Sequence, residues 1–192
     1  MNLRRALRDR RHARWLAAAR RGDGAAFRAL YREMFPRVHG YLASRLAHRE
    51  DVEDLTSHAF HRMLERLDRF DDTRGSVLGW VLTIAHHALV DHMRRARPRA
   101  CGDALSELPA PQEDAPLERL LRAERDADLR AAIGTLEPET RRMIALRHDL
   151  DLSYREIASV LDVREEAVKQ RFSRAYRRLR DRLARKEVSG HA

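Results

Sequence analysis

Cysteine is nearly missing: the 192 residues contain one, Cys101, which excludes an internal disulfide and a cysteine-rich zinc module and fits a reducing cytosol. Lysine is almost as scarce. Of 39 basic residues only Lys169 and Lys186 are lysine, so a GC-rich genome explains the arginine excess as well as a ligand does, and where the charge sits carries more weight than its sum. Aromatics make up 6%, with Gly and Pro at 8 and 6 residues, too few for a turn-rich all-β chain. No apolar run approaches the roughly 20 residues that cross a bilayer, so no membrane insertion is expected. The opening "MNLRRALRDRRHARWLAAARRGD" has no unbroken apolar core and no cleavage site, which argues against a secretory signal and leaves an amphipathic basic arm over 1–22. A cytoplasmic location and no cofactor are the corresponding expectations.

Ala, Leu and Arg dominate, and all three are strong helix formers, so the expected fold class is all-α. With 43% hydrophobic residues the chain can build compact cores, in one domain or two small ones. A net charge of +9 and a pI near 10.7 point to a polyanionic partner, because clustered cations release the counterions condensed on phosphate backbones.

From Asp23, Phe27, Leu30, Tyr31 and Met34 form one stripe; Pro36 predicts a kink or restart before Val38, Tyr41, Leu42 and Leu46, giving two stacked segments. Asp51 to Leu67 places Val52, Leu55, Ala59, Met63 and Leu67 at helical intervals, with an acidic, polar opposite face. "RFDDTRG" reads as a turn, and Ser76 as the N-cap of "VLGWVLTIAHHALVDHMRRAR". Between Cys101 and Glu118 there is no Lys or Arg, but three prolines and five carboxylates, the composition of an acidic linker. Helical periodicity resumes from Leu117. The resulting division is an arm at 1–22, a helical module at 23–97, a flexible acidic linker at 98–118, a second module at 119–186 and a tail at 187–192.

In the second module "SYRE" is a capping box, Ser153 with Glu156, that starts a helix at Tyr154. Ile157, Ala158 and Leu161 give it a buried face, "DVR" bends the chain, and the next helix buries Val168, Phe172, Ala175 and Leu179. The small Ala158 allows the close crossing of a helix-turn-helix. The second helix then presents Lys169, Gln170, Ser173, Arg174 and Arg177, with Arg171 beside them. Arg and Lys donate to guanine edges and phosphates and Gln bridges adenine, so this face suits a DNA major groove; the bland alternative is a solvated basic face.

With "AFRALY", "EDLTSHAF", "RFDDTRG", "WVLTIAHHALVDHMRR", "LSYREIASVLDV" and "VKQRFSRAYRRL" in this order, the chain resembles the extracytoplasmic-function (ECF) sigma factors of bacterial RNA polymerase, over about residues 23 to 184. The resemblance implies a sigma region 2 bundle in the first module and a region 4 helix-turn-helix in the second. It implies that Asp54, Leu55, Ser57, His58 and Phe60 dock on the polymerase clamp helices. It also implies that the loop from Arg74 captures a base flipped from the minus-ten element, with Arg74, Gly75, Ser76, Trp80, His86, His87, Asp91, Arg94 and Arg95 facing that DNA. The minus-thirty-five element would fall to Lys169, Gln170, Arg171, Ser173, Arg174 and Arg177. Core RNA polymerase, promoter DNA and an inhibitory anti-sigma factor are the implied partners, and the acidic linker would follow the enzyme's cationic channel. Relatives often read Arg-Asn at His86-His87, Gln-Glu at Ser57-His58, and Pro-x-Gly-Thr where "REEA" stands here.

Two rivals remain. His58, His61, His86, His87 and Asp91 have spacing compatible with a metal in a bundle, but no nucleophile with a base and no glutamate-rich ligand set accompanies them, so neither a metal nor an enzyme is expected. An autonomous helix-turn-helix regulator would share the second module; the acidic helix and the Arg94–Arg99 cluster of the first argue otherwise.

Overall fold

The computed structural model describes residues 3–95 and 127–189, without the side chains of 185–189. All regular structure among these residues is helical. The first module contains α1 (Leu3–Arg20), α2 (Gly24–Ala43), α3 (Arg49–Glu65) and α4 (Val77–Arg95), with single 3-10 turns at Leu67–Arg69 and Asp72–Arg74 between the last two. The second contains α5, described over 127–134, then α6 (Pro138–His148), α7 (Tyr154–Leu161) and α8 (Glu165–Ser189). The expected linker lies outside the described residues.

The helix α4 is the centre. Val77, Leu78, Val81, Leu82, Ala85, Ala88 and Leu89 are buried along it, a stripe broad enough to meet α1, α2 and α3 on one side and α7 on the other. Ser76 starts it as expected, its Oγ accepting the Gly79 amide at 3.2 Å. Buried apolar residues form one cluster from Leu16 to Leu179, so the two modules pack on each other.

The segment read as an arm is a packed helix. Leu16 and His12 of α1 are buried against the bundle, His12 Nε2 lying 2.9 Å from the Glu33 carboxylate of α2, and burial pushes the imidazole pKa down.

Pro36 does not break the chain into two segments: α2 is one helix from Gly24 to Ala43 with the proline inside it. The ring faces solvent while Leu30, Met34, Val38, Tyr41 and Leu42 are buried in unbroken register on either side. Burial of that stripe outweighs one lost backbone hydrogen bond and the crowding of the Arg32 carbonyl. Asp23 adds to the helix start, its Oδ1 accepting the amides of Ala25 at 2.9 Å and Ala26 at 3.0 Å. Replacing Pro36 by Ala should therefore raise the unfolding free energy by about 1–3 kcal/mol in chemical denaturation, with no change in helix content.

Candidate nucleic-acid interface

Along α8, Val168, Phe172, Ala175 and Leu179 face the core and Phe172 packs on Tyr154 of α7, with ring centroids 4.9 Å apart. The hundred-degree step of the helix then leaves Lys169, Gln170, Ser173, Arg174 and Arg177 exposed, while Arg171 is half-buried. The bend before α8 is a left-handed C-cap at Asp162 (φ 53°), and the Val163 amide returns to the Ala158 carbonyl at 3.0 Å. Lys169 pairs with Glu165 one turn earlier, Nζ to Oε1 2.7 Å, so the first basic group of the face is shared with an acid at the helix start.

In the loop before α4, the Asp71 carboxylate accepts the Thr73 amide at 3.0 Å and its hydroxyl at 2.6 Å, bonds that hold the Asp71 pKa below its ordinary value. Arg74 projects into solvent at 82% side-chain exposure, 3.3 Å from Asp71. Gly75 follows at φ 150°, backbone that L side chains seldom adopt. Trp80 is half-buried with its ring on Phe70, centroids 5.4 Å apart.

The adjacent histidines of α4 have different environments. His86 shares a 2.7 Å hydrogen bond between Nδ1 and the Tyr41 hydroxyl, and the Arg45 guanidinium lies 3.7 Å above the Tyr41 ring. Burial, then the charges of Arg45 and His87, lower the His86 pKa, so its imidazole is neutral at pH 7. His87, Asp91, Arg94 and Arg95 are exposed on the same helix.

On α3, Asp54, Ser57 and His58 are exposed, whereas Leu55 and Phe60 face inward, Phe60 within an aromatic cluster 4.6 Å from Tyr31. The inward pair orients the helix rather than covering its outer face. Leu64, 51% exposed, lies on that outer face one turn beyond His61 and was missed by periodicity alone, since it falls outside the apolar stripe. Among the described residues no group of three His, Cys, Asp or Glu side chains could hold a metal ion. No helix of the described residues is long and apolar enough to cross a membrane.

The most unusual group sits between the modules. Glu156 of α7 is 4% exposed. Its Oε2 accepts the Ser153 amide at 2.7 Å and hydroxyl at 2.6 Å, completing the expected capping box, and also pairs with Arg5 of α1. Its Oε1 accepts the Ser76 amide, at the start of α4, at 2.8 Å. Arg8 of α1 reaches Asp151 at 3.1 Å, and Arg155 reaches the Thr73 carbonyl at 3.5 Å. A cleft of about 800 Å³ opens here between α1, the 71–76 loop and the start of α7.

Residues 30–99 match the family model "Sigma-70 region 2" and residues 126–179 match "Sigma-70, region 4". The chain is 36% identical over 171 residues to "ECF RNA polymerase sigma factor SigE" of Mycolicibacterium smegmatis, covering 85% of this chain and 65% of that protein. It is 31% identical over 134 residues to "RNA polymerase sigma factor YlaC" of Bacillus subtilis, covering 69% and 77%. Thus it spans 61% to 65% of the length of the longer curated relatives it matches. Among solved structures, the sigma factor RpoE in complex with the anti-sigma factor NepR from Bartonella quintana has the same fold, with TM-score 0.54 at 20% identity over 82% of this chain and 96% of that one.

Burial pushes the Glu156 carboxyl up, but the bonds from Ser153 and Ser76 outweigh it and hold the pKa at about 2, from an ordinary 4.5. Between those values the folded chain binds fewer protons than the unfolded one. The stabilisation, on the order of 3 kcal/mol, is therefore complete above pH 4.5 and lost as the pH falls through about 2. Denaturation midpoints of the wild type should fall over this range, and those of Glu156→Gln should fall less.

Proposed function

This chain belongs to the sigma factors of bacterial RNA polymerase, in their extracytoplasmic-function branch, and from that membership we propose that it acts as a promoter-specificity subunit. It recruits core RNA polymerase to a minus-ten and a minus-thirty-five element in the cytoplasm, working by binding rather than catalysis. The observation that carries this reading is a chain matching region 2 and region 4 together, with an exposed arginine-rich face on the second helix of its helix-turn-helix. An autonomous regulator would have no use for region 2, so that alternative is not favoured.

Region 4 lays α8 in the major groove of the minus-thirty-five element. Arg174, Arg177, Lys169 and Gln170 read base edges there, and Arg171 and Ser173 support the backbone contacts. In region 2 the Arg74–Ser76 loop and Trp80 receive an unstacked base of the minus-ten element. His87, Arg94 and Arg95 track the strand beside Asp91, and His86 contributes as a neutral hydrogen-bonding group anchored to Tyr41. Unstacking costs a few kcal/mol, which the pocket and the cationic surface offset without bond chemistry.

Asp54, Ser57 and His58 form the outer face of α3 that meets the polymerase clamp, held in place by Leu55 and Phe60 beneath and extended by Leu64. An acidic face with one apolar residue complements a cationic coiled coil. An anti-sigma factor that masks these faces is part of the proposal, as the resemblance implies.

Mixed with core polymerase, the purified chain should direct transcripts from defined start sites on genomic fragments. Failure to associate with the core, or association without start-site choice, rejects the reading. Arg174→Ala should weaken minus-thirty-five recognition by about 1–3 kcal/mol while leaving core association intact, and Leu64→Asp should do the reverse, both read by gel shift and pull-down.

A further inference from the structure

The junction of the two modules is shaped around one carboxylate. A Cβ at Gly75 would lie 3.1 Å from Glu156 Cγ, and a Cβ at Gly79 would lie 3.2 Å from Cγ and 3.3 Å from Oε1. Both distances are tighter than ordinary van der Waals contact, so a side chain at either position would crowd the glutamate. Between these glycines the Ser76 amide, which has no acceptor within its own helix, points at Oε1 at 2.8 Å. From the other side Arg5 closes on Oε2, and Arg8 bridges to Asp151. The slot thus has a floor without side chains, an amide donor and a guanidinium, the elements of a carboxylate site.

We propose that region 2 carries a carboxylate-binding slot, built from Gly75, Ser76, Gly79 and Arg5, which Glu156 of region 4 fills in the free chain, latching the modules together and withholding the minus-ten loop. This rests on the reading of that loop as the base-capturing element. The geometry of a promoter makes opening compulsory. Elements at minus ten and minus thirty-five lie about 25 base pairs apart, roughly 85 Å of duplex at 3.4 Å per step. In the latched chain the start of α7 touches the start of α4, so the two elements cannot be held at once. Promoter engagement on the polymerase therefore pulls Glu156 out of the slot, and the minus-ten loop becomes available as α8 is carried to its own element. The α8 face is exposed in the latched state, so the latch guards region 2 alone. With the Glu156 pKa held near 2, the carboxylate stays charged at any physiological pH, and separation of the modules rather than protonation releases it.

The test uses the full chain with Cys101→Ser and spin labels on cysteines replacing His61 in α3 and Asp181 in α8, both exposed. Pulsed electron resonance should give one narrow distance for the otherwise unaltered chain. Arg5→Ala with Arg8→Ala leaves the capping box intact, and Gly79→Val wedges the slot from the α4 side. Each should broaden the distribution toward longer distances, because losing a charge-assisted bond shifts the open-to-latched ratio by roughly tenfold or more. The same variants should bind mixed-sequence single-stranded DNA more tightly, by anisotropy. Glu156→Ala should open the chain as well, with circular dichroism reporting whether α7 survives loss of its cap. A broad distribution before any latch residue is changed, or a narrow one that the Arg5, Arg8 and Gly79 variants leave in place, overturns the proposal. Promoter-directed transcription by the Arg5→Ala, Arg8→Ala chain with saturating core polymerase separates the two readings. If start-site choice is absent in every version, the functional reading fails, and the distances still decide the latch.

Discussion

A carboxylate at 4% exposure is tolerated only where donors replace the water it has lost, and the donors that surround Glu156 come from three separate parts of the chain. Its own helix supplies Ser153, the start of α4 supplies the Ser76 amide, and α1 supplies Arg5. Removing any one would leave a buried charge partly unanswered, so the positions of α1, α4 and α7 are set together. The dependence runs further. Arg5 is in reach because Leu16 and His12 anchor the same helix against the bundle, and the glutamate fits because residues 75 and 79 have no side chain.

The remaining charges are sorted by whether the fold or a ligand uses them. Arg45 is 8% exposed, stacked on Tyr41 and donating to its carbonyl at 2.7 Å, and so serves the bundle. Arg174, Arg177, Arg94 and Arg95 are in solvent, where a cation keeps its hydration until a phosphate or base edge replaces it. This sorting explains why net charge alone is a weak guide to function. A surplus of nine positive charges includes cations that no polyanion can reach.

The parts of the structure legible in the sequence are those determined within a few residues. The capping box at Ser153, the N-cap at Ser76 and the bend before α8 rest on local hydrogen bonds, and the exposed face of α8 follows from a strict 3.6-residue period. Pro36 misled because a local rule about one missing amide was set against a twenty-residue helix whose burial depends on the rest of the bundle. Leu55 and Phe60 were placed on the right helix but face the core, since a family motif marks positions and not the direction of each side chain. The second role of Glu156 was hidden for a related reason. A capping box accounts fully for a glutamate at that position, and its partners Ser76 and Arg5 lie 80 and 151 residues away.

Such an arrangement is better suited to specificity than to strength. Hydrogen bonds exchange with water at a net cost of only about 1 kcal/mol each, and a buried ion pair recovers little beyond its own desolvation. The junction at Glu156 therefore selects one mutual placement of α4 and α7 without making it deep. Moving a two-state equilibrium from 1:99 to 99:1 takes about 5.5 kcal/mol, well within what docking two separate surfaces on a large enzyme provides. A junction closed by large apolar side chains would have held the modules as one core. A charged group in a glycine slot keeps the alternative within reach, because the released carboxylate, amide and guanidinium each find water as an adequate partner.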